Sequence, residues 1–314
     1  MMLLLPADPL RPRRPDEHFA PEAAAARDAG VPVAVIDHDA FAQGRATPAA
    51  VALVPAGEES NAGGSGNADA SGDADASGDA GASGDAGASG DAVYRGWMLR
   101  SEHYADLATA LAARHVTLRT SADAYRRAHE LPGWYDTLRP LTPETAWTEG
   151  DAREDFERAL TRLGDGPAVL RDYTKSMKHY WHEAAYIPDV ADRDRAWRVA
   201  SRFRELRGDE YAGGFVLRRF EPFTGAEART WWAGGECRLV TAHPDTPDEL
   251  PPDDLDLSAV AGRIAALGLP FVTADLVRRD DGDWRVVEVG DGQVSDRPAS
   301  TPAEELIAAL SRAR

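Results

Sequence analysis

The segment VLRDYTKSMKH, Val169 to His179, holds both lysines of a 314-residue chain whose other 33 of 35 cationic side chains are arginine. A lysine ammonium is compact and mobile and can follow an anion that moves, whereas the planar guanidinium fork suits fixed bidentate contacts. Lys175 and Lys178 therefore point to a migrating anion such as a transferred phosphate. A second constellation lies in FVTADLVRRDDGDWRVVEVGDGQVSD. Asp281-Gly282 is a two-residue hairpin signal. With those residues as the turn, Asp280 pairs with Asp283, and counting outward along both strands sets Asp275 opposite Glu288 on one face. Directly opposed carboxylates have Cβ atoms about 5 Å apart and repel. A hard divalent cation such as magnesium relieves that repulsion, because it takes oxygen ligands and is often held by one or two carboxylates plus phosphates.

Other arrangements carry less. TKS lacks the preceding glycines of a phosphate-binding P-loop. In HYWHE, His179, His182 and Glu183 offer two histidines with no third ligand in reach, which is more often a surface or packing pattern than a metal site. Trp231 and Trp232 point to opposite faces of a strand, so one is expected in the core and the other at an edge or against a ligand. The single cysteine, Cys237, reads as a small buried strand residue. Without a partner it makes no internal disulfide, which points to a reducing, cytoplasmic setting.

The elements that must position these residues follow an α/β and then an α+β order. MLLLPADPL and VPVAVID read as strands flanking the helix PEAAAARDAG, and VYRGWML reads as a further strand before the helix SEHYADLATALAARH, with Ser101 as its N-cap. Between these halves, Ala56 to Ala92 repeats SGDA every six residues with no large side chain. It carries eight acids and no bases, −8 of the net −18, leaving −10 for the rest. It is expected to be an unpacked insertion, since it has no apolar area to offset the entropy of ordering. Farther on come the helix DAREDFERALTRLGDG, the strand PAVLR and the helix DRDRAWRVASRFRELRG. The strand-like runs FVLRRFEPF, EARTWWAGG and ECRLVTA, the helix LSAVAGRIAALG and the Asp275/Glu288 hairpin complete the series.

A pI near 4.8 and a charge of −18 argue against a general nucleic-acid or anionic-membrane binder, so any anion site must be local. No run of the sequence approaches a membrane span, and the apolar run in MMLLLPADPLRPRR is too short for a signal peptide.

A strand ending in Arg171 with two lysines just beyond it, a set of antiparallel strands and an acid-bearing hairpin, in that order, resemble the ATP-grasp superfamily. The similarity is to a branch with a strand-end base, a KS-x-KH-like loop and an EVGDGQVS-like ending, and it runs from about Trp147 to the C-terminus. It implies an N-terminal parallel-sheet lobe over residues 1–145, with the insertion at 56–92, followed by an ATP-grasp domain over 146–314 whose two α+β subdomains span 146–212 and 213–314. The implied activity is an ATP- and Mg2+-dependent ligase joining a carboxylate and an amine through an acyl phosphate. Small-molecule partners, or a protein acceptor, are implied. The alternatives are a phosphotransferase and a non-catalytic nucleotide- or partner-binding module.

By the same resemblance Arg171, Lys175 and Lys178 contact the phosphates and serve catalysis. FVLRRFEPF, with Arg218 and Glu221, receives the nucleotide base, and Glu227 and Arg229 match an E-x-R pair. Asp275 and Glu288 match the two acidic magnesium ligands. Where many members carry a further asparagine ligand this chain has Gly290, so Asp291 or Gln293 is expected to supply the missing oxygen. Arg95 and Arg100 at the first lobe's ligand-holding edge, and Arg297 after the hairpin, are candidates for binding the substrate.

Overall fold

The structure is a computed structural model that describes residues 1–57 and 91–311. The expected insertion therefore lies mostly outside the described residues. Its borders are narrower than expected: the Gly57 amide donates to the Arg114 carbonyl, and Asp91 and Ala92 already belong to a strand.

The first sheet is built on β1 (Met2–Asp8), whose buried Leu3, Leu4 and Leu5 face helices on both sides. β1 pairs antiparallel with β2 (Arg11–Pro15) and parallel with β3 (Val33–Ile36) and β4 (Asp91–Tyr94); β5 (Thr117–Leu118) extends β4. α1 (Ala20–Asp28), α2 (His38–Ala42) and α3 (Ser101–Ala112) connect these strands. The α3 N-cap is Arg100 and not Ser101, whose hydroxyl instead donates to Glu130. VYRGWML leaves the sheet after Tyr94, because Arg95 turns inward to a buried partner.

α4 (Ala122–His129) and α5 (Leu131–Leu138) come next in the chain but pack on the third sheet. The second sheet has the order β6-β9-β7-β8, with β6 Thr145–Trp147, β7 Ala168–Arg171, β8 Tyr186–Ile187 and β9 Val216–Arg219. Its core joins Phe156 and Leu160 of α6 (Arg153–Leu163) to Val199 and Phe203 of α7 (Arg193–Arg207). β9 thus belongs to this sheet and not to the run of strands that follows it.

The third sheet has the order β11-β10-β12-β13, from β10 (Phe223–Ala233), β11 (Glu236–Ala242), β12 (Phe271–Arg279) and β13 (Trp284–Asp291). It is covered on both faces, which corrects the reading of the tryptophan pair. Trp232 packs with α5 and α8 (Ser258–Ala266), while Trp231 packs with Phe271 and α9 (Ala303–Ser311), and both are buried. Cys237 is half-buried on β11. Among the described residues no helix is long and apolar enough to cross a membrane.

The β12–β13 hairpin puts Asp275 opposite Glu288, but by a different count. The turn holds three residues, with Arg279 bonded to Asp283 and Gly282 at φ 95°, so the near-turn pairs are Arg278 with Trp284 and Leu276 with Val286. A bulge at Val287 then restores the offset. The two deviations cancel at the acidic pair.

Candidate active site

The second and third sheets face each other across two adjoining cavities. One, of about 350 Å³, is lined by Val169, Arg171, Trp181, Arg218, Phe220 and Glu227 among others. The other, of about 330 Å³, reaches the first lobe at Met98 and His129 and includes Arg229, Asp275, Thr273 and Ser295. Lys175, Ser176, Lys178, His243 and Glu288 line both.

β7 ends at Arg171, and a tight turn returns the chain so that Ser176 bridges back to Arg171. Asp172 builds this turn. Its fully buried carboxylate accepts from the Thr174 and Lys175 amides at 2.8 and 2.7 Å and from the Thr174 hydroxyl at 3.0 Å, while its other oxygen takes Arg207 Nε at 2.8 Å. This is an Asx turn anchored by a buried ion pair. It aims the Lys175 side chain at the junction of the cavities, where its ammonium makes no ion pair among the described residues. Lys178 lies farther out and pairs with Asp245 from the loop after β11. Arg171 donates to the Thr174 carbonyl at 2.7 Å and reaches Glu288 at 3.3 Å.

On the third sheet Asp275 is held bidentately by Arg229, with both contacts at 2.8 Å. Burial opposes ionisation of Glu288, but Arg171, Lys175 and Arg229 outweigh it and bring the carboxyl down to about 2. Its side chain remains 42% exposed toward the cavities. Glu227 shifts the other way: burial and the charges of Asp275 and Glu288 push it up to about 8. Burial also opposes the charge of Arg229, yet its contact with Asp275 wins and raises its pKa.

Three acids gathered on one face are a donor set that a cation would relieve. Glu227, His243 and Asp275 have ligand atoms within 4.8 Å of one another. His243 Nδ1 faces the Asp245 amide at 3.2 Å and Nε2 faces Arg229 at 3.3 Å, so the lone pair of the neutral ring is spent on a donor of this chain whichever nitrogen carries it. The donors that remain are carboxylate oxygens, and Asp275 keeps free lone pairs beyond its two bonds from Arg229. Such a set fits a hard cation such as Mg2+.

Arg218 crosses from β9 to the hairpin, donating to the Val287 carbonyl at 2.5 Å and to the Thr142 hydroxyl at 2.7 Å. The bulge turns that carbonyl toward it. Burial and the nearby Arg171 lower its pKa to about 9, and its Nε has no partner among the described residues. Glu221 lines the first cavity with its carboxylate taken bidentately by Arg285 at 2.7 and 2.8 Å.

The remaining sequence candidates lie apart from this cluster. Asp291 pairs with Val272, one position out of phase with Asp275 and Glu288, and so occupies the opposite face. It accepts from the Gln293 amide and side chain at 2.8 and 3.0 Å, and burial pushes it up to about 7. Gln293 is occupied with Tyr94, Tyr104 and Asp291. Arg95 is buried in a bidentate pair with Glu22 at 2.7 and 3.1 Å. Arg100 is engaged with Glu102 and the Asp209 carbonyl, and Arg297 with the Thr301 carbonyl. His179, His182 and Glu183 are exposed and do not cluster as ligands.

Asp172, His129, His243 and Asp245 are site residues that the sequence reading does not single out. Asp172 has a local signal, since an aspartate two residues before a threonine at a strand end favours an Asx turn. The others sit at element ends that only the packing brings together. His129 is buried, and burial with nearby Lys175 lowers it to about 4.

Residues 162–310 match the model of a family of ATP-grasp domains, the third family of its clade. The chain resembles a RimK-domain ATP-grasp protein from Sphaerobacter thermophilus at 19% identity and TM-score 0.57, covering 99% of this chain and 100% of that one. It resembles the D-cycloserine synthetase DcsG at 18% identity and TM-score 0.57, with the same coverage. The ATP-grasp ligase PsnB, complexed with a minimal precursor, Mg and ADP, is similar at 14% identity and TM-score 0.53, over 99% of this chain and 97% of that one. No curated protein matches the sequence. At these identities the structures establish a shared fold, and it is the mixed α/β and α+β fold of ATP-grasp proteins.

Proposed function

We propose, from the premise that residues 162–310 match an ATP-grasp domain within a chain of that fold, that the protein is an ATP- and Mg2+-dependent ligase joining a carboxylate to an amine through an acyl phosphate. The observation that carries this reading is the pair of cavities with Lys175, Lys178 and Glu288 in their shared wall. Nucleotide occupies the cavity against β9, beside Arg218, Phe220 and Glu221. The carboxylate and then the amine occupy the cavity beside Met98 and His129. The γ-phosphoryl group crosses at the shared wall.

A carboxylate oxygen attacks the γ-phosphorus, and the bond to the departing ADP oxygen breaks. The amine then adds to the acyl carbon, phosphate leaves with the bonding electrons, and the nitrogen gives up a proton. Arg171 stays fixed by the Thr174 carbonyl and Glu288, while Lys175 is free to move with the phosphoryl group and Lys178 can exchange Asp245 for it. Arg229 holds Asp275 in place. Mg2+, held by Asp275 and Glu288, would neutralise phosphate charge.

DcsG is a synthetase of a small molecule, and PsnB binds a precursor together with Mg and ADP, so the acceptor class spans small molecules and peptides. ADP and phosphate release measured against mixed pools of carboxylic acids, with and without amines, tests the reading. Release that requires both substrates supports a ligase. Release with one acceptor and no free phosphate marks a phosphotransferase, and no release with any pool marks a binding module.

A further inference from the structure

Thr273 lies two residues from Asp275 on β12, on the same face, and opposite Gly290. Its Oγ1 is 2.6 Å from Ser295 Oγ, which is itself 3.0 Å from the Asp291 carbonyl oxygen. A hydroxyl has one proton to donate, and a carbonyl only accepts. Ser295 therefore donates to Asp291, and Thr273 donates to Ser295. Thr273 Oγ1 is left with its lone pairs and no proton to offer, in a side chain that is 2% exposed and borders the cavity holding Asp275 and Glu288. Gly290 makes room for this arrangement. A Cβ there would stand 3.2 Å from Thr273 Oγ1 and 3.3 Å from Ser295 Oγ.

We propose that Thr273 Oγ1, oriented by Ser295 and the Asp291 carbonyl, is a third oxygen ligand of the divalent cation that Asp275 and Glu288 hold. The proposal rests on the reading of those two acids as cation ligands. A neutral oxygen that can only accept is matched to a hard cation, adds no charge to a site already containing Glu227, Asp275 and Glu288, and offers nothing to an anion. The chain thereby supplies from β12 an oxygen that the side-chain-free position on β13 does not.

The test is titration of the ADP-loaded protein with Mn2+ followed by electron paramagnetic resonance, on Thr273→Val, Thr273→Ser, Ser295→Ala and Glu288→Gln. Thr273→Val is expected to weaken Mn2+ binding about tenfold or more, with Thr273→Ser close to the parent and Ser295→Ala between them. Cation-free ADP binding should not change in the two threonine variants. Mn2+ affinity unchanged in Thr273→Val but reduced in Glu288→Gln overturns the proposal and leaves the acidic site standing. Affinity unchanged in both removes the acidic site and the proposal with it. A Thr273→Val protein that binds Mn2+ normally but has a raised KM for the amine assigns the hydroxyl to the substrate instead, and this too overturns the proposal.

Discussion

Replacing Asp172 should damage catalysis although its carboxylate contacts neither substrate nor nucleotide in this account. It is fully buried and orders the Lys175 turn through three bonds, with Arg207 as its charge partner. Asp172→Ala leaves a guanidinium that is 14% exposed and two amides without partners. Breaking one side of such a pair costs about 3 kcal/mol. With an unfolding entropy of about 2.1 cal/mol/K per residue, a chain of 314 residues shifts by about 1.5 °C per kcal/mol, so melting should fall by about 5 °C. Asp172→Asn keeps one oxygen for the turn but sets an amide donor against Arg207, and should lose less. The decisive reading is kcat under ATP saturation at a temperature where both variants are folded. A displacement of Lys175 by about 1 Å predicts a loss of about a hundredfold in Asp172→Ala, with a smaller change in ATP affinity. The predicted fall in melting temperature accompanied by kcat within twofold of the parent would refute the claim that this turn positions a catalytic ammonium.

Lys175→Arg should lower turnover about tenfold, near 1.4 kcal/mol on the barrier, because its ammonium is unpaired at the shared wall, whereas Lys178→Arg, exposed and tied to Asp245, should cost less. Steady-state kinetics on both variants decides this. Asp275→Ala and Glu288→Ala should each abolish Mg2+-dependent turnover, but only Asp275→Ala should also destabilise the fold, by about 3 kcal/mol in urea titration, because it strands Arg229. His129 has its folded pKa lowered from 6.5 to about 4, so its neutral form stabilises the fold above pH 6.5 and that contribution is lost as pH falls toward 4. The parent should therefore lose up to about 3 kcal/mol more than His129→Gln between pH 6.5 and 4, and equal slopes would contradict it.

Much of the site can be read from the chain because its signals are local. The lysine pair stands out against an arginine background, and Asp281-Gly282 names a turn, which brings Asp275 to Glu288 even though the turn is longer and Val287 bulges. β2 escapes such a reading because RPRRP has neither alternation nor β-branched residues; it forms because Asp8 takes Arg11 and the Leu10 amide at the hairpin. Trp231 and Trp232 read as one core and one edge residue because strand alternation gives opposite faces but not what covers each. Asp172 owes its role to Arg207, 35 positions away, and no local pattern carries that pairing.

The central claim is that ATP activates a carboxylate as an acyl phosphate. Hydroxylamine tests it most directly, since it captures an acyl phosphate without the natural amine. With ATP, Mg2+ and a pool of carboxylic acids, the account predicts hydroxamate and ADP in equal amounts, and neither product in Glu288→Ala. Release of ADP from the parent with a phosphorylated acceptor and no hydroxamate would contradict it.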